Sequence, residues 1–395
     1  MKLELFIRGK GKIRRISTIV DEITHIFVQR SFTTLDSLNQ PSVNCQLFYH
    51  FTTPISIAME SRVITFSRNV FLPLTHVCAN RCGYCSFYAP VGSDALLTPD
   101  TVLHTLTHGA AVNCTEALFT FGEQPDSVSG FTPLLKQITG YSSMLEYCYA
   151  MSEHAIKCGL LPHTNAGILT ADEMEMLKPV TASLGLMLET TAVLSAHTHS
   201  PGKDPARRIE MIADAGRLKI PFTTGILLGI GEKRNDHIES LEVISALHKE
   251  YGHIQECIIQ NFCPGAGTEM EQFPPASEDV IVDVVSLANQ ILPSDIAIQI
   301  PPNLANAKTL IPYGVDDLGG VSPVTIDYIN PEHPWPQIEE LAALVGDNVL
   351  QERLCIYPQY IEKGWYSKHL SSLIHTLSTR IKDQHNKCNQ NLNED

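Results

Sequence analysis

The sequence predicts an α/β protein built as a (βα) barrel, partial or complete, and three observations point there. From residue 69 onward, short β-rich apolar runs alternate with longer amphipathic segments, the pattern of βαβ units around a parallel sheet. Six or more such units succeed one another in a single run, which suits a barrel better than a doubly wound sheet. No GxGxxG comes after the first run, which weakens the dinucleotide-binding alternative.

The expected strands are VFLPLT (70–75), EALFTF (116–121), SLGLML (183–188), PFTTGILLG (221–229), ECIIQNF (256–262) and IAIQI (296–300), with a further one near LPHTN (161–165). Between them TPDTVLHTLTHGAAV, TADEMEMLK, PARRIEMIADAGRLK and RNDHIESLEVISALHKEYG read as helices, several with Pro or Asp near the start where a helix N-terminus favours them. In such a barrel the chemistry gathers at the C-terminal ends of the strands. The ends of the chain differ. Residues 1–58 show no βα period and form an N-terminal extension of no assigned role, 59–345 make the barrel domain, and 346–395 give a C-terminal helical segment whose polar tail, DQHNKCNQNLNED, is expected to fray.

The bulk numbers exclude several classes of protein. With 395 residues, 44% hydrophobic and 18% charged, the chain has an ordinary globular composition. No window approaches a membrane span, and the apolar start is broken by Arg8 and Lys10, a poor signal peptide. A cytoplasmic protein without a membrane partner is expected. The net charge of −15 argues against nucleic acid, whose phosphates an acidic surface repels. Eleven cysteines without a secretion signal argue for thiols and metal ligands rather than disulfides.

Directly after the first strand comes Cys78-Ala-Asn-Arg-Cys82-Gly-Tyr-Cys85. Chance would give this CxxxCxxC spacing in about 0.01 chains of this length and cysteine content. Three thiolates on one loop leave one iron of a four-iron cubane without a protein ligand, whereas an electron-transfer ferredoxin supplies four. In radical SAM enzymes that iron takes S-adenosylmethionine. The alternative is a structural zinc completed by His76 or Cys114, although no second CxxC supplies the usual second knuckle. The other eight cysteines (45, 114, 148, 158, 257, 263, 355 and 388) show no metal spacing and read as core or surface thiols.

Other residues at strand ends join this motif. Gly122-Glu123 closes the second strand, where a small residue and an acid suit the ammonium of a bound amino acid; the alternative is a helix-cap carboxylate. Glu189 ends LMLETTA, where a carboxylate can accept from ribose hydroxyls, and Arg208 on the next helix can pair with a carboxylate; a lone helical Arg is more often a solvated charge. Gly225, in GILLGIGE with Gly229 and Gly231, lets the backbone approach a flat ring; the alternative is equally a loop turn. His163, Asn165, His197 and His199 are candidates for handling substrate protons, or equally for structural hydrogen bonding.

The blocks ITFSRNVFLPLTHVCANRCGYCSF, ALFTFGEQPD, GLLPHTNAGILT, ASLGLMLET, HSPGKDPARR, PFTTGILLGIGE and IQNFCPGAGTEM together resemble the radical SAM 7,8-didemethyl-8-hydroxy-5-deazariboflavin (FO) synthases, in particular their first subunit. The likeness runs from about Arg62 to about Leu344, with Met59 just before it; translation is expected to start there. The resemblance implies a lyase of deazaflavin coenzyme biosynthesis. Its substrate would be 5-amino-5-(4-hydroxybenzyl)-6-(D-ribitylimino)-5,6-dihydrouracil, converted by hydrogen abstraction, cyclisation and ammonia loss. It implies a [4Fe-4S] cluster on Cys78, Cys82 and Cys85, S-adenosylmethionine held by Glu123, Glu189 and Arg208 with Tyr84 near the adenine, a second synthase subunit as functional partner and a low-potential electron donor. Its competitors are another radical SAM barrel enzyme, such as the second subunit or a biotin-synthase-like protein, and a non-catalytic zinc or iron–sulfur protein.

Overall fold

The structure, a computed structural model, describes residues 6–9, 12–15 and 61–391, with side chains to residue 386. Two short strands, β1 (Phe6–Gly9) and β2 (Lys12–Arg15), pair antiparallel in a unit of their own, Phe6 opposite Arg15. The expected start at Met59 falls outside the described residues.

From residue 61 the chain is one compact unit. Its strands are β3 (Val63–Thr75), β4 (Glu116–Phe121), β5 (Leu161–Asn165), β6 (Ser183–Gly185), β7 (Phe222–Leu228), β8 (Ile254–Asn261), β9 (Ala297–Gln299) and β10 (Asp317–Val321). They pair parallel in that order, and β10 returns to β3, so the barrel is complete and closed. β7 is buried along its whole length, FTTGILL, as a strand covered on both faces must be.

Helices connect the strands: α1 (Pro99–Ala111), α2 (Phe131–Thr139), α3 (Met144–Cys158), α4 (Ala171–Leu177), α5 (Pro205–Arg217), α6 (Arg234–Tyr251), α7 (Glu278–Ile291), α8 (Ala307–Leu310) and α9 (Ile338–Leu344). Local chemistry sets several boundaries. The Thr98 side chain accepts from Thr101 N to start α1, a Thr170–Glu173 capping box starts α4, and Asp204 with Pro205 starts α5. Gly159 and Gly252, both left-handed, end α3 and α6.

Sequence patterning missed β10, whose DLGGV carries an acid and two glycines against strand propensity. It also missed the strand and crossing that come after the barrel. β11 (Val349–Glu352) pairs with the start of β3, below β4, and the chain then crosses under the barrel. Leu354, Ile356, Tyr357 and Tyr360 are buried there with Leu161 and Ala182, covered by α10 (Pro358–Glu362) and α11 (Ser371–Asn391). The stretch expected to fray is therefore helical as far as Asn391.

This crossing segment supplies the base of the barrel with its one buried cation among the base's described residues, Arg353. Its guanidinium is bidentate on Asp317 (2.6 and 2.7 Å) and also donates to Glu256 (2.6 Å), which accepts from the hydroxyls of Tyr357 (3.0 Å) and Thr223 (2.7 Å). The Cys355 carbonyl accepts from Ser183 Oγ (2.7 Å) and Gln255 Nε2 (2.9 Å). A third acid, Glu116, accepts from Ser67 Oγ at 2.7 Å. Burial lifts its pKa to about 7, against the opposing pull of Ser67 and Arg353.

Candidate active site

Past Thr75 the chain enters the loop that carries Cys78, Cys82 and Cys85, three free, partly buried thiols that all face one cavity of about 440 Å³ inside the barrel. The loop is pinned by its backbone: Ala79 N donates to Glu123 O (2.9 Å), Arg81 N to His199 O (3.0 Å) and Gly83 N to Ala196 O (2.8 Å). Gly122 makes the seat possible, since a Cβ there would lie 2.0 Å from Val77 O and 2.7 Å from Cys78 Cβ. Cys78 Sγ accepts from the backbone N–H of Asn80 (3.3 Å) and Glu123 (3.2 Å), and Cys82 Sγ from the Ser200 hydroxyl (3.2 Å). Burial pushes the Cys78 and Cys85 thiols up, so their ionisation calls for a cation.

Two buried ion pairs open into the same cavity. Glu123 Oε2 accepts from Arg208 Nη2 at 3.0 Å and its Oε1 from Asn80 Nδ2 at 2.9 Å. Arg208 also donates to the carbonyls of Gly202 (2.9 Å) and Met187. A Cβ at Gly202 would stand 1.3 Å from Glu123 Oε1, so any side chain there would push the carboxylate out of its place. Glu189 pairs with Lys203. Burial alone would raise the Glu189 carboxyl, but Lys203 and Arg208 together hold it below its ordinary range. Its backbone sits at φ 68°, a strained conformation for a non-glycine, held by Glu189 N on Gly225 O (3.1 Å) and Leu227 N on Glu189 O (2.9 Å).

The three thiols suit a cluster better than a single zinc. Among the described residues no three His, Cys, Asp or Glu side chains converge closely enough for one ion, whereas thiolates on separate irons need not meet at a point. Neither of the two residues considered as a fourth zinc ligand lines the cavity that the three thiols face. His76 Nδ1 bonds Phe87 O at 2.8 Å, and buried Cys114, its thiol lifted to about 12 by burial, donates to Asn69 O.

Comparison with known proteins extends this geometry. Residues 72–244 match the radical SAM superfamily model. The chain is 61% identical over 323 residues to the 7,8-didemethyl-8-hydroxy-5-deazariboflavin synthase of Methanoculleus marisnigri, covering 82% of this chain and 97% of the relative. The chain belongs to the radical SAM FO synthases. The synthase of Archaeoglobus fulgidus, at 49% identity over 80% of this chain and 97% of its own, agrees. For the fold, the FeFe-hydrogenase maturase HydG from Carboxydothermus hydrogenoformans superposes with a TM-score of 0.58 at 16% identity, covering 80% of this chain and 82% of that one. The family is one of enzymes of deazaflavin biosynthesis that use an iron–sulfur cluster and S-adenosylmethionine.

Within this synthase, Tyr84, Gly122, Glu123, Glu189 and Arg208 line the cavity with the three cysteines, as do His163 and Asn165. Tyr84 Oη lies 3.2 Å from His197 Nε2, and burial with the nearby Glu189 pushes the phenol well up. His163 bonds Ser183 Oγ (2.6 Å) and Asn165 Oδ1 (3.1 Å); burial lowers it to about 4. His197, likewise lowered to about 4 by burial, stands behind Tyr84, and exposed His199 serves the loop through its backbone; neither lines the cavity. Gly225 does not line it either: a Cβ there would meet Ile258 O at 2.3 Å, so its smallness serves strand packing. Of the cysteines read as plain thiols, Cys263 and Cys355 reach the cavity, and Cys45 and Cys388 lie outside the described side chains. Sequence reasoning missed Lys203, although it sits in the HSPGKDPARR block, and Asn80 within the cysteine loop itself. Among the described residues no helix is long and apolar enough to cross a membrane.

Proposed function

We propose that this synthase forms FO from 5-amino-5-(4-hydroxybenzyl)-6-(D-ribitylimino)-5,6-dihydrouracil, with Cys78, Cys82 and Cys85 as the ligands of a [4Fe-4S] cluster. The observation that carries this is one cavity shared by three free thiols and two buried ion pairs, Glu123–Arg208 and Glu189–Lys203. When bound, the cluster and S-adenosylmethionine supply an electron and a 5′-deoxyadenosyl radical that removes hydrogen from the adduct. Cyclisation and loss of ammonia complete the product.

The protein's part is to bind, orient and exclude. A paired acid and base suit a zwitterion: Glu123 takes the ammonium of the methionine end and Arg208 its carboxylate, with Gly122 leaving room. Glu189, kept ionised by Lys203, accepts from ribose hydroxyls, and Tyr84 lies against the adenine. Gly225 sets the wall behind the ring through its packing. His163, neutral at pH 7, and Asn165 stand deeper and are the candidates for handling substrate protons, with His197 and His199 further out. The closed barrel walls keep other hydrogen donors from a primary carbon radical. A second synthase subunit supplies the adduct, a low-potential donor supplies the electron, and both act with this chain in the cytoplasm. Residues 59–345 carry the chemistry, 346–395 close the base, and 1–58 form an extension.

The test is anaerobic: reconstituted protein, dithionite, S-adenosylmethionine, with and without the synthetic adduct. Adduct-dependent 5′-deoxyadenosine with a fluorescent deazaflavin product is expected. A protein that instead retains tightly bound zinc and cleaves nothing overturns the proposal.

A further inference from the structure

Below the charged rim, the inner wall of the barrel holds polar side chains with nothing to bond. Asn69, 1% exposed, projects from β3; its Oδ1 has no hydrogen-bond partner, and no side-chain bond to its amide exists among the described residues. Gln299, 8% exposed, projects from β9 and makes no side-chain hydrogen bond among the described residues either. Glu116, beside Asn69 in register on β4, accepts from Ser67 on Oε2 only. All three line the cavity.

Between the two amides runs β10, and its glycines make room for them. A Cβ at Gly320 would lie 2.3 Å from Asn69 Nδ2, and one at Gly319 would lie 2.3 Å from Gln299 Nε2. Barrel interiors are ordinarily filled by bulky branched side chains. Here two adjacent positions of one strand are bare, and the space goes to amides that bond nothing. Asn69 Oδ1 is buried and unpaired, which is costly, and Gln299 and Glu116 line the same cavity, so the arc is suited to a ligand.

The shape of the arc selects the ligand's chemistry. It spans four neighbouring strands, β9, β10, β3 and β4, so it curves with the barrel wall. One step nearer the rim, the same faces carry Phe71 and Leu118, and Ile258 and Leu318 add to the apolar lining. Flat rings match that apolar belt. A chain of hydroxyls, each donor and acceptor and free to follow a curve, matches amides and a carboxylate. We propose that Asn69, Gln299 and Glu116 form a polyol subsite that grips the sugar-alcohol chain of the substrate and so aims its ring end at the cysteine rim. The inference rests on the proposed function, which supplies a substrate with such a chain.

The experiment compares two synthetic adducts, one with the ribityl chain and one with an unsubstituted pentyl chain, on reconstituted enzyme. The wild type should prefer the ribityl adduct by about 100-fold or more in kcat/KM, because a site built for hydroxyls rejects an analogue lacking them. Asn69→Leu should cut that preference to within about fivefold, chiefly by losing the ribityl substrate, while Asn69→Asp, which keeps an acceptor, retains most of it. Cleavage of S-adenosylmethionine without adduct should not change in either variant. Gln299→Leu repeats the test from the other end of the arc should Asn69→Leu fail to fold. Equal losses on both adducts in the Leu variants, with the wild-type preference intact, would overturn the subsite and leave the proposed function standing. A wild type that converts neither adduct would remove the proposed function and the subsite with it.

Discussion

The two ends of the barrel are built on opposite principles. The rim takes its three thiols from one loop and its ion pairs from more distant segments, Glu123 and Arg208 being 85 positions apart, and its polar groups surround an open cavity. Cys78, Cys82 and Cys85 share eight residues, and Glu123 comes just after the next strand. The base is assembled from residues far apart, and there Arg353 answers Asp317 and Glu256 directly across 36 and 97 positions. At the rim Glu189 holds a left-handed conformation, φ 68°, a cost in stability that fits the ligand role proposed for it. The base has a satisfied ion network whose role is to close and hold the barrel. Strain is thus concentrated at the rim and charge pairing at the base, although Glu116, Glu256 and Arg353 of the base also face the cavity.

Three variants would break or sharpen this division, in order of expected effect. Cys82→Ala at the rim should abolish FO formation, a loss of at least about a thousandfold, and reduce the iron and sulfide retained after reconstitution. The unfolding midpoint of the metal-free protein in urea should shift by no more than about 1 kcal/mol in stability. A large loss of stability in the metal-free state would show that the rim also holds the fold.

Arg353→Met at the base should do the reverse. It leaves Asp317 and Glu256 buried without their cation, at a cost of about 3–5 kcal/mol, read from urea unfolding. The fraction that folds should still take up iron. A stability change under about 1 kcal/mol would mean the base is held by apolar packing alone.

The smallest effect concerns pH. Burial raises the Glu116 carboxyl from its usual 4.5 to about 7, with Arg353, Glu256 and Asp317 as charged neighbours. A raised folded-state pKa means the folded chain binds the proton more tightly. The associated stability is present below about 4.5 and is lost as pH rises through about 7. Glu116→Gln should therefore gain on the wild type steadily across that window when the two unfolding curves are compared. Parallel curves across it would show that Glu116 is ionised throughout.

Legibility in the sequence divides along the same line. The strands that alternate with clear helices were readable, and β4 and β5 fall on the expected residues. β10 was hidden because its glycines serve the cavity rather than strand propensity, and β11 because four residues carry too little pattern. The cysteine loop was plain from its spacing. Arg208 could be nominated from the sequence, but its partner Glu123 lies 85 residues away, and only the folded chain brings them to 3.0 Å. Lys203 beside Glu189 was missed because a lysine in a Pro-Gly turn reads as a solvated charge. Nothing local in QERLCIY marks Arg353 as the buried cation of the base.

The crossing segment also sets an order of events during synthesis. Residues 349–357 are made after every strand of the barrel, so the base stays open while the rest of the fold is already available. At ordinary elongation rates Arg353 is added roughly 15 to 55 seconds after Cys85. During that interval the three thiols are already made but lack the finished chamber that will shield them. Iron delivered then would meet a vessel without a bottom, and oxygen would have a second way in. On the proposed ligand set, loading a cluster is therefore a task for the completed chain.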